Sequence, residues 1–134
     1  MKKEPQFAFY CIEATEVTPR VYFNLTRGVF EIKGRSYPSN SLSFYKRILD
    51  HLTLLQDSGI KLDLSVRIIL EYFNTSSSKC LHNLVRKLNE FIEKGHRVQI
   101  NWYYPYEDED MKELVEDLNG LFGNKMKVIR AMTH

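Results

Sequence analysis

The chain has 134 residues, of which 43% are hydrophobic and 27% charged, and its formal net charge is +2. That length suits one domain, 1–134, able to bury about two-thirds of its unfolded surface without disulfide or metal staples. The charge is small and its basic residues are mixed with acids, so composition points away from nucleic acid and from a membrane surface.

Residues 7–13 (Phe7 to Glu13) are apolar and aromatic and predict a strand. Pro19 sits in the connection that follows. Two short β-prone runs come next, Val21 to Leu25 and Val29 to Lys33. The link between them, Thr26-Arg27-Gly28, reads as a hairpin turn. Gly34 to Asn40, with Pro38, predicts a loop. Ser39, Asn40 or Ser41 can cap a first helix, whose apolar stripe is Leu42, Tyr45, Ile48, Leu49, Leu52 and Leu55. Asp57-Ser58-Gly59 is a stop signal.

Leu62, Leu64, Val66 and Ile68 then alternate with Asp63, Ser65 and Arg67, the period of a strand with one covered face. Ile68 to Phe73 is apolar but for Glu71, which predicts a stretch covered on both faces. A second helix reads from Leu81 to Ile92, with Glu90 and Lys94 spaced to pair and Gly95 just past its end. Arg97 to Tyr104 is the next strand, with Trp102 and Tyr104 facing the core. After Pro105, Glu107 to Asp110 open a third helix with an inner face of Met111, Leu114, Val115, Leu118 and Leu121. Gly123-Asn124 turns the chain into a last strand, Met126 to Met132. The order β-ββ-α-β-α-β-α-β predicts an α/β domain with a mixed sheet, helices packed on it, and parallel later strands.

Cys11 and Cys80 are far apart, and Cys80 lies on the apolar side of its helix, where a free thiol behaves as a small hydrophobe. No disulfide is expected, and a reducing, cytoplasmic setting fits. Glu4-Pro5-Gln6 follows Met1-Lys2-Lys3 where a signal peptide would have its apolar core. No run is long enough to span a membrane. Neither a metal nor a cofactor is expected: the histidines lack ligand spacing, consecutive acids at Glu107 to Asp110 suit a helix N-terminus, and no Gly-rich phosphate loop occurs.

The stretch that organises the chain is Glu71-Tyr72-Phe73-Asn74-Thr75-Ser76-Ser77-Ser78-Lys79-Cys80. It joins the most strand-like run to a clean helical pattern, with four successive hydroxyls, Thr75 to Ser78, at the junction. A helix start offers unpaired N–H groups and partial positive charge, so it accommodates an anion. One of the hydroxyls could carry a phosphate, or the Asn74–Lys79 loop could bind a small anion or nucleotide. Asn, Ser and Thr are also ordinary N-caps.

Tyr72-Phe73-Asn74-Thr75-Ser76-Ser77-Ser78-Lys79, taken with Gly34-Arg35-Ser36-Tyr37-Pro38, resembles the SiaC family of bacterial regulatory phosphoproteins. These are STAS-like, akin to the anti-sigma-factor-antagonist class. The resemblance implies a single STAS-like domain and a non-enzymatic switch. It implies that Thr75 is phosphorylated by a Ser/Thr kinase and restored by a PPM-type phosphatase. It also implies that the unphosphorylated form binds and activates a diguanylate cyclase, placing the chain in c-di-GMP signalling. Ordinary antagonists carry Asp-Ser where this chain has Asn74-Thr75, so the rival expectations are an anti-sigma-factor-antagonist-type partner switch, the anion- or nucleotide-binding module, and an enzyme with a Ser or Thr nucleophile. Geometry at the strand–helix corner also favours Thr75, while Tyr103 and Tyr106 are candidate partner contacts.

Overall fold

The computed structural model describes residues 6–131. After a short 3₁₀ turn, Gln6–Ala8, the elements are β1 (Phe9–Ile12), β2 (Arg20–Asn24), β3 (Val29–Ser36), α1 (Ser41–Ser58), β4 (Asp63–Phe73), α2 (Thr75–Glu93), β5 (Arg97–Tyr104), α3 (Glu109–Leu121) and β6 (Met126–Arg130). All six strands join one sheet in the order β1-β2-β3-β4-β5-β6. β1, β2 and β3 pair antiparallel, and β3 through β6 run parallel. The mixed α/β architecture and the element order are those expected.

Consecutive parallel strands are immediate neighbours here. Crossovers of the usual right hand therefore place all three helices on one face of the sheet. The burial pattern agrees. On that face Val21, Phe23, Phe30, Ile32, Leu64, Val66, Ile68, Ile100 and Trp102 are buried. Between them stand Glu31, Lys33, Ser65, Arg67, Gln99 and Asn101, which are exposed or half-exposed. Each fully buried Leu, Ile or Phe contributes roughly 1.5–3 kcal/mol, so the helix-covered face holds the fold together.

This overturns the expectation that Ile68 to Phe73 is covered on both faces. Ile69 is only partly covered and Glu71 is exposed. A β-bulge explains the misleading pattern. Gly34 pairs with Leu70 and Arg35 with Tyr72, so Glu71 is an extra residue. An extra residue shifts the alternation by one. Tyr72 is thereby turned outward, 51% exposed, while Phe73 turns inward against Trp102.

Other boundaries differ for local reasons. The first strand is shorter than Phe7 to Glu13. Gly34 to Ser36 continue β3 where a loop was expected, because β4 supplies a parallel partner. α2 starts six residues before Leu81, at the hydroxyl run itself. Leu42, Leu114 and Leu121 lie outside the core at 74%, 54% and 70% exposure. Glu90 pairs with Lys87 at 3.8 Å and not with Lys94, which serves as the C-cap. β6 ends at Arg130, and Met132 lies outside the described residues.

Candidate functional site

Because β3 and β4 are parallel neighbours, their carboxyl ends reach the same edge of the sheet. The loops that leave them are therefore adjacent. One carries Ser36-Tyr37-Pro38 and leads to α1; the other carries Asn74 and leads to α2. The Asn74 N–H donates to the Ser36 carbonyl at 3.0 Å. Two motifs nearly 40 residues apart in the chain thus form one structure.

Gly34 makes this approach possible. Its φ is +134°, and a Cβ there would lie 3.3 Å from Pro19 Cα. Side chains rarely adopt that conformation, and the space is already taken.

Both helices begin with an asparagine cap. Asn40 Oδ1 accepts from the Ser43 N–H at 3.0 Å, and Asn74 Oδ1 accepts from the Ser77 N–H at 2.9 Å. Asn74 is therefore the cap, and Thr75 is the first residue inside α2. Ser76, Ser77, Ser78 and Lys79 follow within its first turns.

The serines are tied together. Tyr45 Oη lies 2.6 Å from Ser36 Oγ, and Ser36 donates to Ser77 Oγ at 2.8 Å. Ser41 Oγ lies 3.2 Å from Ser77 Oγ and 2.8 Å from Ser76 Oγ. Ser76 donates to Asn74 Oδ1 at 3.3 Å. Each hydroxyl has one proton to give, and that count fixes the direction of the whole chain. Tyr45 donates to Ser36, Ser36 to Ser77, Ser77 to Ser41, Ser41 to Ser76, and Ser76 to the Asn74 carbonyl oxygen. Burial pushes the Tyr45 phenol up to about 12, against the opposing effect of its bond to Ser36, so it stays a neutral donor. Such linked bonds reinforce one another in a low-dielectric interior.

The four hydroxyls of the run now differ. Ser77 is buried and bonded. Ser76 is exposed but holds both Ser41 and Asn74. Ser78 is half-buried on the side facing α3. Thr75 is exposed, and its hydroxyl has no partner among the described residues. It stands where the N-termini of α1 and α2 converge, Ser41 and Ser76 being each helix's early residues in direct contact. Unpaired N–H groups and the positive dipole ends of two helices meet at this corner.

Around the corner lies an aromatic rim. Tyr37 and Tyr72 are exposed and meet edge to face at 5.9 Å. Beside them Arg35 Nε pairs with Glu71 at 3.0 Å. Tyr103 is half-buried on the helix-free face under the Arg67 guanidinium at 5.5 Å, while Tyr106 is exposed with Arg130 over its ring at 5.3 Å. The two tyrosines named from the sequence are thus held by different cations, on β4 and β6. Sequence reasoning missed Tyr37 and Tyr72 as surface residues because the bulge at Glu71 decides where Tyr72 points. It named Ser36 in a motif, Ser41 as a cap candidate and Tyr45 in a helical stripe, but not that the three join the hydroxyl run, since that depends on β3 and β4 being neighbours.

Among the described residues, no group of three His, Cys, Asp or Glu side chains could hold a metal ion, and no helix is long and apolar enough to cross a membrane. The buried Cys80 thiol is pushed up by burial, which keeps it protonated.

A family model for SiaC family regulatory phosphoproteins matches residues 12–131, both motifs included. The chain belongs to the SiaC family. An uncharacterized protein of Pseudomonas aeruginosa is 31% identical to this SiaC family member over 107 residues, covering 79% of this chain and 83% of the relative. The structure of apo-SiaC from Pseudomonas aeruginosa matches with a TM-score of 0.77 at 23% identity, covering 90% of this chain and 98% of that one. The structure of the diguanylate cyclase SiaD in complex with its activator SiaC, from the same organism, matches with a TM-score of 0.82 at 24% identity, covering 91% and 99%. These likenesses concern the fold. Membership of a family of regulatory phosphoproteins makes this chain a regulator and not an enzyme.

Proposed function

We propose that this SiaC family member is a switch set by reversible phosphorylation of Thr75. The observation that carries the reading is the difference among the four hydroxyls. Thr75 alone in the run is both exposed and unengaged among the described residues, while Ser76 and Ser77 are committed to the chain that joins α1 to α2. A kinase can take Thr75 without breaking an internal bond. The phosphate adds about −1.5 to −2 charges and enters beside two helix N-termini, which accept anions. The fold tolerates it, so the change is read by a partner and not by unfolding.

The partner in this proposal is a diguanylate cyclase, bound and activated by the unphosphorylated form, as the SiaC of Pseudomonas aeruginosa is described as activator of SiaD. A Ser/Thr kinase and a PPM-type phosphatase, acting in the cytoplasm, set the state of Thr75. The rim of Tyr37 and Tyr72 is the contact surface, with Tyr103 and Tyr106 as further partner contacts. Exposed tyrosines of this kind supply large contact area at interfaces, and Tyr72 is only three residues from Thr75.

The test is phosphosite mapping by mass spectrometry after incubation with ATP and lysate of the source cells, joined to cyclase capture by the purified protein. Thr75→Ala should remain unphosphorylated, fold, and bind the cyclase. Thr75→Glu should bind it about tenfold or more weakly, since a charge enters the contact. Phosphate on Ser76, or equal cyclase binding by all three proteins, would reduce Thr75 to a structural residue.

A further inference from the structure

We propose that the cavity between α2 and α3 is a binding site for a small carboxylic acid with an apolar body, such as a single substituted ring or a short branched chain. Phe73 and Trp102 line it from the sheet, Leu81 from α2 and Leu118 from α3, with Lys79 and His82 among its polar lining residues. Its volume is about 230 Å³. That falls below the roughly 300–1,000 Å³ of sites for drug-sized ligands, so a nucleotide is too large.

The cavity exists because α3 does not close on α2. α3 buries only Met111 and Val115, and the outer leucines of its stripe, Leu114 and Leu121, remain largely exposed. Protein interiors are otherwise close-packed, so an apolar recess of this size is a departure that an apolar ligand body would fill.

The polar groups choose the ligand's other end. No acidic side chain lines the cavity. Lys79 is exposed and makes no ion pair among the described residues. The cavity thus offers a cation, with the Ser78 hydroxyl and the His82 imidazole beside it, and no anion to match it. A carboxylate provides that anion, and charge-assisted bonds to an ammonium are the stronger kind. A cation finds no carboxylate here, and a sugar finds few polar groups. The proposal stands apart from the state of Thr75.

Trp102 is the single tryptophan of the chain, so its emission reports on this cavity alone. Phenylacetate serves as the probe and phenylacetamide as its neutral counterpart, with ligand-observed saturation-transfer NMR as a second readout. Millimolar phenylacetate should change the emission saturably. Phenylacetamide should bind about tenfold more weakly, as should phenylacetate to Lys79→Met, which keeps the side-chain stem and removes the charge. Leu118→Phe, which fills the cavity, should abolish the response in both readouts. Absence of saturable binding in either readout overturns the proposal. Equal binding of acid and amide overturns it as well. So does emission that changes on dilution of the protein alone, which would mean that a second copy of the chain occupies the cavity.

Discussion

α2 has a helix on each flank and treats them differently. Against α1 the seam is closed: Ser41, Ser76 and Ser77 are bonded across it near its start, and Lys87 reaches Gln56 further along. Against α3 the only ring contact across the seam among the described residues is His82 with Phe122, 5.4 Å apart, and a cavity opens beside it. The same helix is therefore anchored on one side and loose on the other. Thr75 stands at the anchored end, where a new charge meets a rigid frame. The loose side leaves a cavity open between the two helices.

Gly34→Val attacks the frame most directly. It forces a side chain onto a φ of +134° and against Pro19, and should cost about 3 kcal/mol. Thermal melting should show a fall of about 10 °C. An unchanged melting temperature would mean that the loop carrying Ser36 is not held in the geometry on which the closed seam depends.

Ser77→Ala cuts the hydroxyl chain in its buried middle. Ser36 loses its acceptor and Ser41 its donor, for a loss of about 1–3 kcal/mol in urea unfolding. Asn74→Ala removes the cap of α2 and should cost about 1 kcal/mol. Had the serines been mere solvent-facing residues, Ser77→Ala would match surface substitutions instead.

The far flank of α1 adds a pH dependence. His51 is buried, stacked on Tyr10 at 4.6 Å and set edge-on to Phe23 at 4.7 Å, and its Nε2 has no partner among the described residues. Burial holds its pKa below the ordinary 6.5. The unfolded chain then takes up a proton at a higher pH than the folded one. This contribution to stability is fully present above about pH 6.5 and is lost as pH falls below it toward the depressed folded value. His51→Phe should flatten that part of the stability–pH curve. A curve of unchanged shape in the variant would assign the acid sensitivity to other groups.

The smallest effects belong to Thr75→Ala and Leu121→Ser, each within about 0.5 kcal/mol of wild type because both side chains are exposed and unbonded. If Leu121→Ser cost more than Ser77→Ala, the ranking of the two seams would be reversed.

Much of the fold was legible in the residues themselves. Alternation in Leu62 to Ile68, stripes in α1 and α2, and turn residues at Gly28, Gly59 and Gly95 are local signals, and local geometry obeys them. The element order followed, and with it the mixed sheet. The hydroxyl run was also visible as a strand–helix junction. What composition could not separate was Thr75 from Ser76, Ser77 and Ser78, since four adjacent hydroxyls are chemically alike. The resemblance and the corner geometry favoured Thr75, and the tertiary structure adds why Ser76 and Ser77 differ from it: their partners, Ser36 and Ser41, come from β3 and α1. The outward turn of Tyr72 likewise depends on one extra residue set against β3, a property of the pairing and not of either strand. The exposure of Leu114 and Leu121 was equally out of reach. A helical stripe says which residues share a face, and only the distance between packed helices decides whether that face is covered.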